Sequence, residues 1–222
     1  MLAPVACIGS GLIGRAWAIV FARAGHEVRL WDAKPEASEA ARAFCAEVLP
    51  ELEQLGLIDC TATDALARIH TASTLEEALD GAIHVQESTF ENLVIKREIF
   101  ARLDAVAAPE TVLASSSSAL LPSAISEGLK GRARVMVNHP INPSYLVPAA
   151  ELVPAPWTDK SLINRTAEML RAAGMQPIVM TKEIDGFVMN RMQGALLHEA
   201  FRLVAGGYAS AEDVDIGIRE GL

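Results

Sequence analysis

The sequence predicts an α/β fold: a Rossmann-type, doubly wound and mostly parallel sheet, followed by the start of an all-helical C-terminal domain. Three observations predict it. The chain opens on an apolar run, Val5 to Ile8, that ends in Gly9-Ser10-Gly11-Leu12-Ile13-Gly14 and continues into the helical stretch Arg15 to Gly25. Short apolar runs then alternate with helix-period segments as far as Met180, the pattern of parallel strands joined by helical crossovers. From Glu183 the texture changes to long helical segments.

The opening run reads as strand, glycine turn and helix. Gly9 permits the turn, Gly11 lets a pyrophosphate come close to the backbone, and Gly14 lets the helix pack on the strand. Gly9, Gly11, Leu12, Ile13 and Gly14 are therefore read as cofactor-binding, with the helix N-terminus offering N–H groups and a positive dipole end to phosphate. Glu27 to Trp31 is the second strand and ends in Asp32. A carboxylate there accepts both hydroxyls of an adenosine ribose and repels a 2′-phosphate, which selects NAD over NADP.

Pro35 to Leu66 is helical, with Pro35 in the first turn and a break near Gly56 and Asp59. Arg68 to Thr71 is a short strand, and Ser73 or Thr74 with Glu76 or Glu77 opens a short helix through Leu79. Ala82 to Glu87 is a buried strand, and Asn92 to Ala107 is a helix with apolar positions at Leu93, Ile99, Phe100, Leu103 and Val106. Thr111 to Ala114 is a strand running into four serines, Ser115 to Ser118, and Arg134 to Asn138 is another. Glu151 to Pro154 is a short strand, Asp159 to Ala173 a helix closed by Gly174, and Gln176 to Met180 the last strand. Beyond Lys182, Asp185-Gly186 opens a helix through Val204, and Ser210 or Asp213 begins one more. The expected division is an NAD-binding domain over 1–182 and a helical domain from 183 to 222. The second is expected to be incomplete, because two helices make a poor independent domain.

A net charge of -9 over 222 residues argues against nucleic acid or an anionic membrane as partner, since either needs a basic face. No apolar run reaches membrane-spanning length and Met1-Leu2-Ala3-Pro4 is not a leader, so a cytoplasmic protein is expected. Cys7, Cys45 and Cys60 lack a C-x-x-C pairing and are read as reduced and structural, with no metal site.

Ligands of a doubly wound sheet sit beyond the C-terminal ends of its strands. The polar groups delivered to that edge are Ser118, His139, Asn142 and Glu151. An imidazole, with a pKa of about 6.5, can accept a hydroxyl proton as hydride leaves the same carbon. Glu151 can take a hydrogen bond from the other ring nitrogen, fixing the tautomer and stabilising the imidazolium.

Gly9 to Ala18, His139 to Pro154 and Glu183 to Arg191 resemble the 3-hydroxyacyl-CoA dehydrogenase family, most of all its L-gulonate 3-dehydrogenase and lambda-crystallin branch, over essentially the whole chain. The resemblance implies His139 as general base with Glu151, Ser118 on the reacting oxygen, and Asn190 polarising the substrate carbonyl oxygen. Through Glu-Asn-Leu-x-x-Lys it implies Glu91 and Lys96 as nicotinamide-ribose and phosphate-side contacts, with Asn142 also on the cofactor side. Where the family usually reads Ser-Asn-Thr-Ser-Ser-Leu, this chain has Ser115-Ser116-Ser117-Ser118-Ala119-Leu120, so Ser116, Ser117 or Ser118 could make the contact.

The implied activity is NAD-dependent oxidation of the 3-hydroxyl of a small-molecule hydroxy acid of the L-gulonate type, in a homodimer formed through a longer helical domain. His139-Pro140-Ile141-Asn142-Pro143 replaces the two phenylalanines that usually follow the histidine in acyl-CoA enzymes, which argues against a 3-hydroxyacyl-CoA substrate. L-Carnitine dehydrogenase is a further relative. A non-catalytic, crystallin-like NAD-binding protein is the reading from another class, and the intact set Ser118, His139, Glu151 and Asn190 argues against it.

Overall fold

The computed structural model describes residues 2–221. Contacts divide them into two units, one ending at Asp185 and the other beginning at Gly186. The first is an eight-stranded sheet made of β1 (Leu2–Ile8), β2 (His26–Trp31), β3 (Ile69–Thr71), β4 (His84–Glu87), β5 (Val112–Ser115), β6 (Val135–Pro140), β7 (Ala149–Pro154) and β8 (Gln176–Val179). Its order is β3-β2-β1-β4-β5-β6-β7-β8, a doubly wound arrangement extended by two strands. Every pairing is parallel except β6 with β7, so the expected mostly parallel sheet is the one observed.

The crossovers are α1 (Leu12–Arg23), α2 (Pro35–Gln54), α3 (Ala62–Ala67), α4 (Leu75–Leu79), α5 (Leu93–Val106), α6 (Pro122–Ser126) and α7 (Lys160–Ala172). Local chemistry starts them where they start. Pro35 opens α2, and Thr61, Thr74, Asn92 and Asp159 cap α3, α4, α5 and α7 through side-chain oxygens. Trp17 and Phe21, one helical turn apart on α1, stack at 5.3 Å within a core that includes Val5, Cys7, Leu30, Met136 and Leu152.

Several element ends differ from the expected ones, among them the starts of β1 at Leu2, β4 at His84 and β7 at Ala149, and three further details stand out. Strand β6 runs on through Pro140, because β7 pairs with it to Ala150 and the ladder holds His139 inside the strand. The short α6 is an addition. In the second unit, α8 (Met189–Ala205) begins four residues after Asp185, because Gly186 and Phe187 take positive φ of 76 and 48, which no helix accommodates. It is followed by α9 (Ala211–Gly221). Among the described residues no helix is long and apolar enough to cross a membrane.

The central strand β4 is buried on both faces, yet three of its four residues, His84, Gln86 and Glu87, are polar. His84 lies 5.6 Å from Phe21 and its Nε2 meets Gln86 Oε1 at 3.1 Å. Burial pushes its imidazole down to about 4, outweighing the Gln86 hydrogen bond. The unfolded chain therefore takes up a proton on this side chain from about pH 6.5 downward while the folded one does not until about pH 4. Stability is lost as pH falls through that window. Urea unfolding is expected to show about 2 kcal/mol lost between pH 7 and 5 through this group, and His84→Phe should flatten the slope by that amount; an unchanged slope would exclude the histidine as its source.

Candidate active site

The glycine turn is tight for reasons internal to the protein at two positions and open at the third. A Cβ at Gly9, where φ is +88, would stand 2.7 Å from the Ser88 carbonyl carbon, and one at Gly14 would stand 1.9 Å from the Gly9 oxygen. At Gly11 a Cβ would meet nothing within 4 Å. The bare backbone there faces open space, as an approaching pyrophosphate requires. Leu12 and Ile13 form the first turn of α1, whose leading N–H groups have no intrahelical partner. Asp32 is fixed beside the turn: Ser10 N–H donates to its Oδ2 at 2.8 Å and Lys34 N–H to its Oδ1 at 3.0 Å. Gly9, Gly11, Trp31, Asp32, Ile99 and Arg102 border a cavity of about 400 Å³. These residues are of the kind that would hold a dinucleotide, with bare backbone at Gly11 suited to phosphate and a carboxylate at Asp32 suited to ribose hydroxyls.

The loops after β4 and β5 are held by one buried cation. The Lys96 ammonium, 1% exposed, donates to both Glu87 oxygens at 3.0 Å, to the Thr89 carbonyl at 3.5 Å, and stands 3.6 Å from Glu91 Oε2. Glu87 also accepts from Ser115 Oγ at 2.7 Å and from Thr89 N–H and Oγ1 at 2.6 Å. Glu91 Oε1 accepts from Ser117 Oγ at 2.5 Å, Ser118 N–H at 3.0 Å and Ala119 N–H at 3.1 Å. The serine loop is thereby folded around a carboxylate, with Ser118 on its exposed outer turn.

Lys96 stands otherwise than the resemblance implies. Its ammonium is sealed beneath the loop and saturated by carboxylate and carbonyl oxygens, so it does not offer itself at the surface to a phosphate. Glu91, with a side chain 40% exposed, stays accessible. Asn142 is exposed at the turn after β6. Asn190 and Arg191 belong to the first turn of α8 in the second unit.

On β6 and β7, His139 and Glu151 are directly opposed in the antiparallel register. Glu151 is fully buried and His139 7% exposed, and His139 Nδ1 lies 2.8 Å from Glu151 Oε2. On the opposite face of the sheet a second polar set sits beneath the same edge. Gln86 Nε2 donates to Ser116 Oγ at 2.7 Å and to the Asn138 carbonyl at 3.2 Å. Its Oε1 accepts from Asn138 Nδ2 at 2.8 Å, and Ser116 meets Ser88 at 2.9 Å. Gln86 and Ser116 thus tie the glycine-turn side of the edge to the strand that carries His139. The polar composition of the central strand β4 is the one signal in the sequence that marks this set.

Residues 4–184 match the profile of the 3-hydroxyacyl-CoA dehydrogenase, NAD binding domain. The chain belongs to the 3-hydroxyacyl-CoA dehydrogenase family. Residues 186–222 match the same family's C-terminal domain. The chain is 42% identical over 220 residues to lambda-crystallin of Oryctolagus cuniculus, covering 98% of this chain and 69% of that one. It is 41% identical over 217 residues to an L-carnitine dehydrogenase of Streptomyces griseus, covering 98% and 64%. Among solved structures, 3-hydroxybutyryl-CoA dehydrogenase from Escherichia coli K12 superimposes with a TM-score of 0.91 at 30% identity, covering all of this chain and 47% of that one. The 3-hydroxyacyl-CoA dehydrogenase family consists of NAD-dependent oxidoreductases of CH–OH groups, and this chain carries the family's NAD-binding domain.

The buried pair beneath the serine loop has a measurable consequence. Lys96→Met would leave Glu87 buried without its counter-charge, a loss of about 3 kcal/mol. Denaturant unfolding should show that loss, and Glu87→Gln added to Lys96→Met should recover part of it; strict additivity of the two changes would mean the charges are not coupled.

Proposed function

We propose that this chain oxidises the 3-hydroxyl of a small free hydroxy acid of the L-gulonate type, with His139 as general base and Glu151 as its partner. The observation that carries the reading is the buried His139–Glu151 pair, 2.8 Å apart, at the same sheet edge as the glycine turn. With Nδ1–H donating to Glu151, the ring's lone pair is on Nε2, the nitrogen that takes the hydroxyl proton. Glu151 then balances the imidazolium it helped to orient. Bound NAD supplies the hydride acceptor. The glycine turn and Asp32 hold its ADP half, and Glu91 and Asn142 contact its nicotinamide side.

Ser118 is presented by a loop that Glu91 holds rigid, and its hydroxyl orients the reacting oxygen. Asn190 polarises the carbonyl oxygen of the substrate. Support for a free acid comes from His139-Pro140-Ile141-Asn142-Pro143, and the relative named L-carnitine dehydrogenase points the same way. The likeness to a 3-hydroxybutyryl-CoA dehydrogenase supports the second reading, a 3-hydroxyacyl-CoA substrate. We further propose a cytoplasmic homodimer. Supporting the first are three free thiols, two of them made unreactive by burial, which pushes Cys45 up to about 12 and Cys7 higher still. Supporting the second are the exposed Met192, Leu197 and Phe201 of α8.

NADH formation with L-gulonate, 3-hydroxybutyrate, L-carnitine and 3-hydroxybutyryl-CoA in parallel tests the substrate class. Turnover of a free acid and not of the thioester is expected; the reverse pattern moves the assignment to the acyl-CoA reading. His139→Ala should lower turnover about 1,000-fold while NAD affinity stays within about twofold, since the imidazole serves the hydroxyl and not the dinucleotide. An equal loss of affinity and turnover would remove the base assignment.

A further inference from the structure

Phe90 is 80% exposed, whereas every other Phe, Tyr and Trp ring in the first unit is buried or half-buried. Looseness of the loop does not explain this. Thr89 donates twice to Glu87, at 2.6 Å each. The Thr89 carbonyl accepts from Lys96 at 3.5 Å, and the Phe90 carbonyl accepts from Asn92 N–H at 2.8 Å. The backbone on both sides is therefore anchored to buried charge and to the cap of α5, and an apolar ring is held in water at a fixed place. That place borders the cavity of Gly9, Gly11, Trp31 and Asp32.

We propose that Phe90 is a dinucleotide-binding residue whose ring forms the outer wall of this cavity and is covered by the ADP half of NAD. The proposal rests on the NAD binding established for the family and adds a contact on this chain. An anchored ring loses no backbone freedom when it is covered, so the apolar area removed from water goes into affinity with little ordering cost. The half of the cofactor follows from the company the ring keeps. Asp32 ends β2 beside the turn, and Gly11 is open to the pyrophosphate, whereas His139 and Glu151 do not border the cavity.

Calorimetric titration of the full chain with NAD and with ADP-ribose tests this without reference to turnover. Phe90→Ala should weaken both ligands about tenfold, and Phe90→Leu should weaken both by less than about threefold. The thermal midpoint of the ligand-free protein should be unchanged, because so exposed a ring holds little of the fold. Unaltered dissociation constants in Phe90→Ala would overturn the proposal and leave the ring to a protein partner. Weakened NAD with unaltered ADP-ribose would overturn it by placing the ring at the nicotinamide half, and a lowered midpoint without ligand would overturn it by making the ring a folding contact. Wild-type protein that binds neither ligand would refute the cofactor site itself, which separates the two failures.

Discussion

A lysine ammonium that is 1% exposed has to be neutralised, and the way this protein neutralises Lys96 organises the C-terminal ends of β4 and β5 and the loops that leave them. Removing an ion from water costs several kcal/mol, recovered only when geometry and further hydrogen bonds are good. Here Glu87, at the last position of β4, contributes both oxygens, and Ser115, at the last position of β5, completes Glu87. Two adjacent strand ends are thus joined through one carboxylate. The loops leaving them inherit that fixity: Thr89 turns on Glu87, and Glu91 gathers the serine loop from the other side of the same cation. What would otherwise be flexible connections become a platform with defined positions for Ser118, Glu91 and Phe90.

The two faces of the sheet divide the labour at this edge. Side chains alternate along a strand, so Glu87 and Gln86 point to opposite faces, as do His139 and Asn138. One face carries the ion pair and the His139–Glu151 pair; the other carries the Gln86, Asn138, Ser116 and Ser88 hydrogen bonds. The single antiparallel pairing in the sheet has a role in this. A parallel partner needs a crossover of a dozen or more residues, whereas the short return from β6 to β7 brings Glu151 directly opposite His139.

Much of the fold follows from periodicity and capping residues. The strand ending in Asp32, the capped helices at Thr74 and Asn92, and the boundary glycine at Gly174 act locally, and the Gly9 to Gly14 spacing is legible in the same way although Gly9 also packs against Ser88. What depended on contacts distant in sequence was harder to read. Lys96 lies on the same helical stripe as Leu93, Ile99, Phe100 and Leu103, so the period marks it as inward, yet a lysine is rarely buried without a partner. Its partner is on another element. The five residues of α6 are too few for a periodic signal, and the late start of α8 comes from positive φ at Phe187, which a non-glycine residue does not advertise. The pairing of His139 with Glu151 was readable as chemistry, while the strand extension that opposes them was hidden by Pro140, which reads as a stop.

The protein buries two carboxylates at this edge and answers them differently. Glu87 and Glu151 are both fully buried. Glu87 faces the Lys96 ammonium and is supported by Ser115 and Thr89, an arrangement that fixes the two loops. Glu151 faces an imidazole, the one side chain that exchanges a proton readily near neutrality. In the proposed reaction the first pair keeps the loops still while the second changes its charge by one as the hydroxyl proton arrives. A carboxylate already in place costs no reorganisation at that moment. The two buried carboxylates thus meet different partners: a lysine ammonium that fixes the loops, and an imidazole that takes up the proton in the proposed reaction.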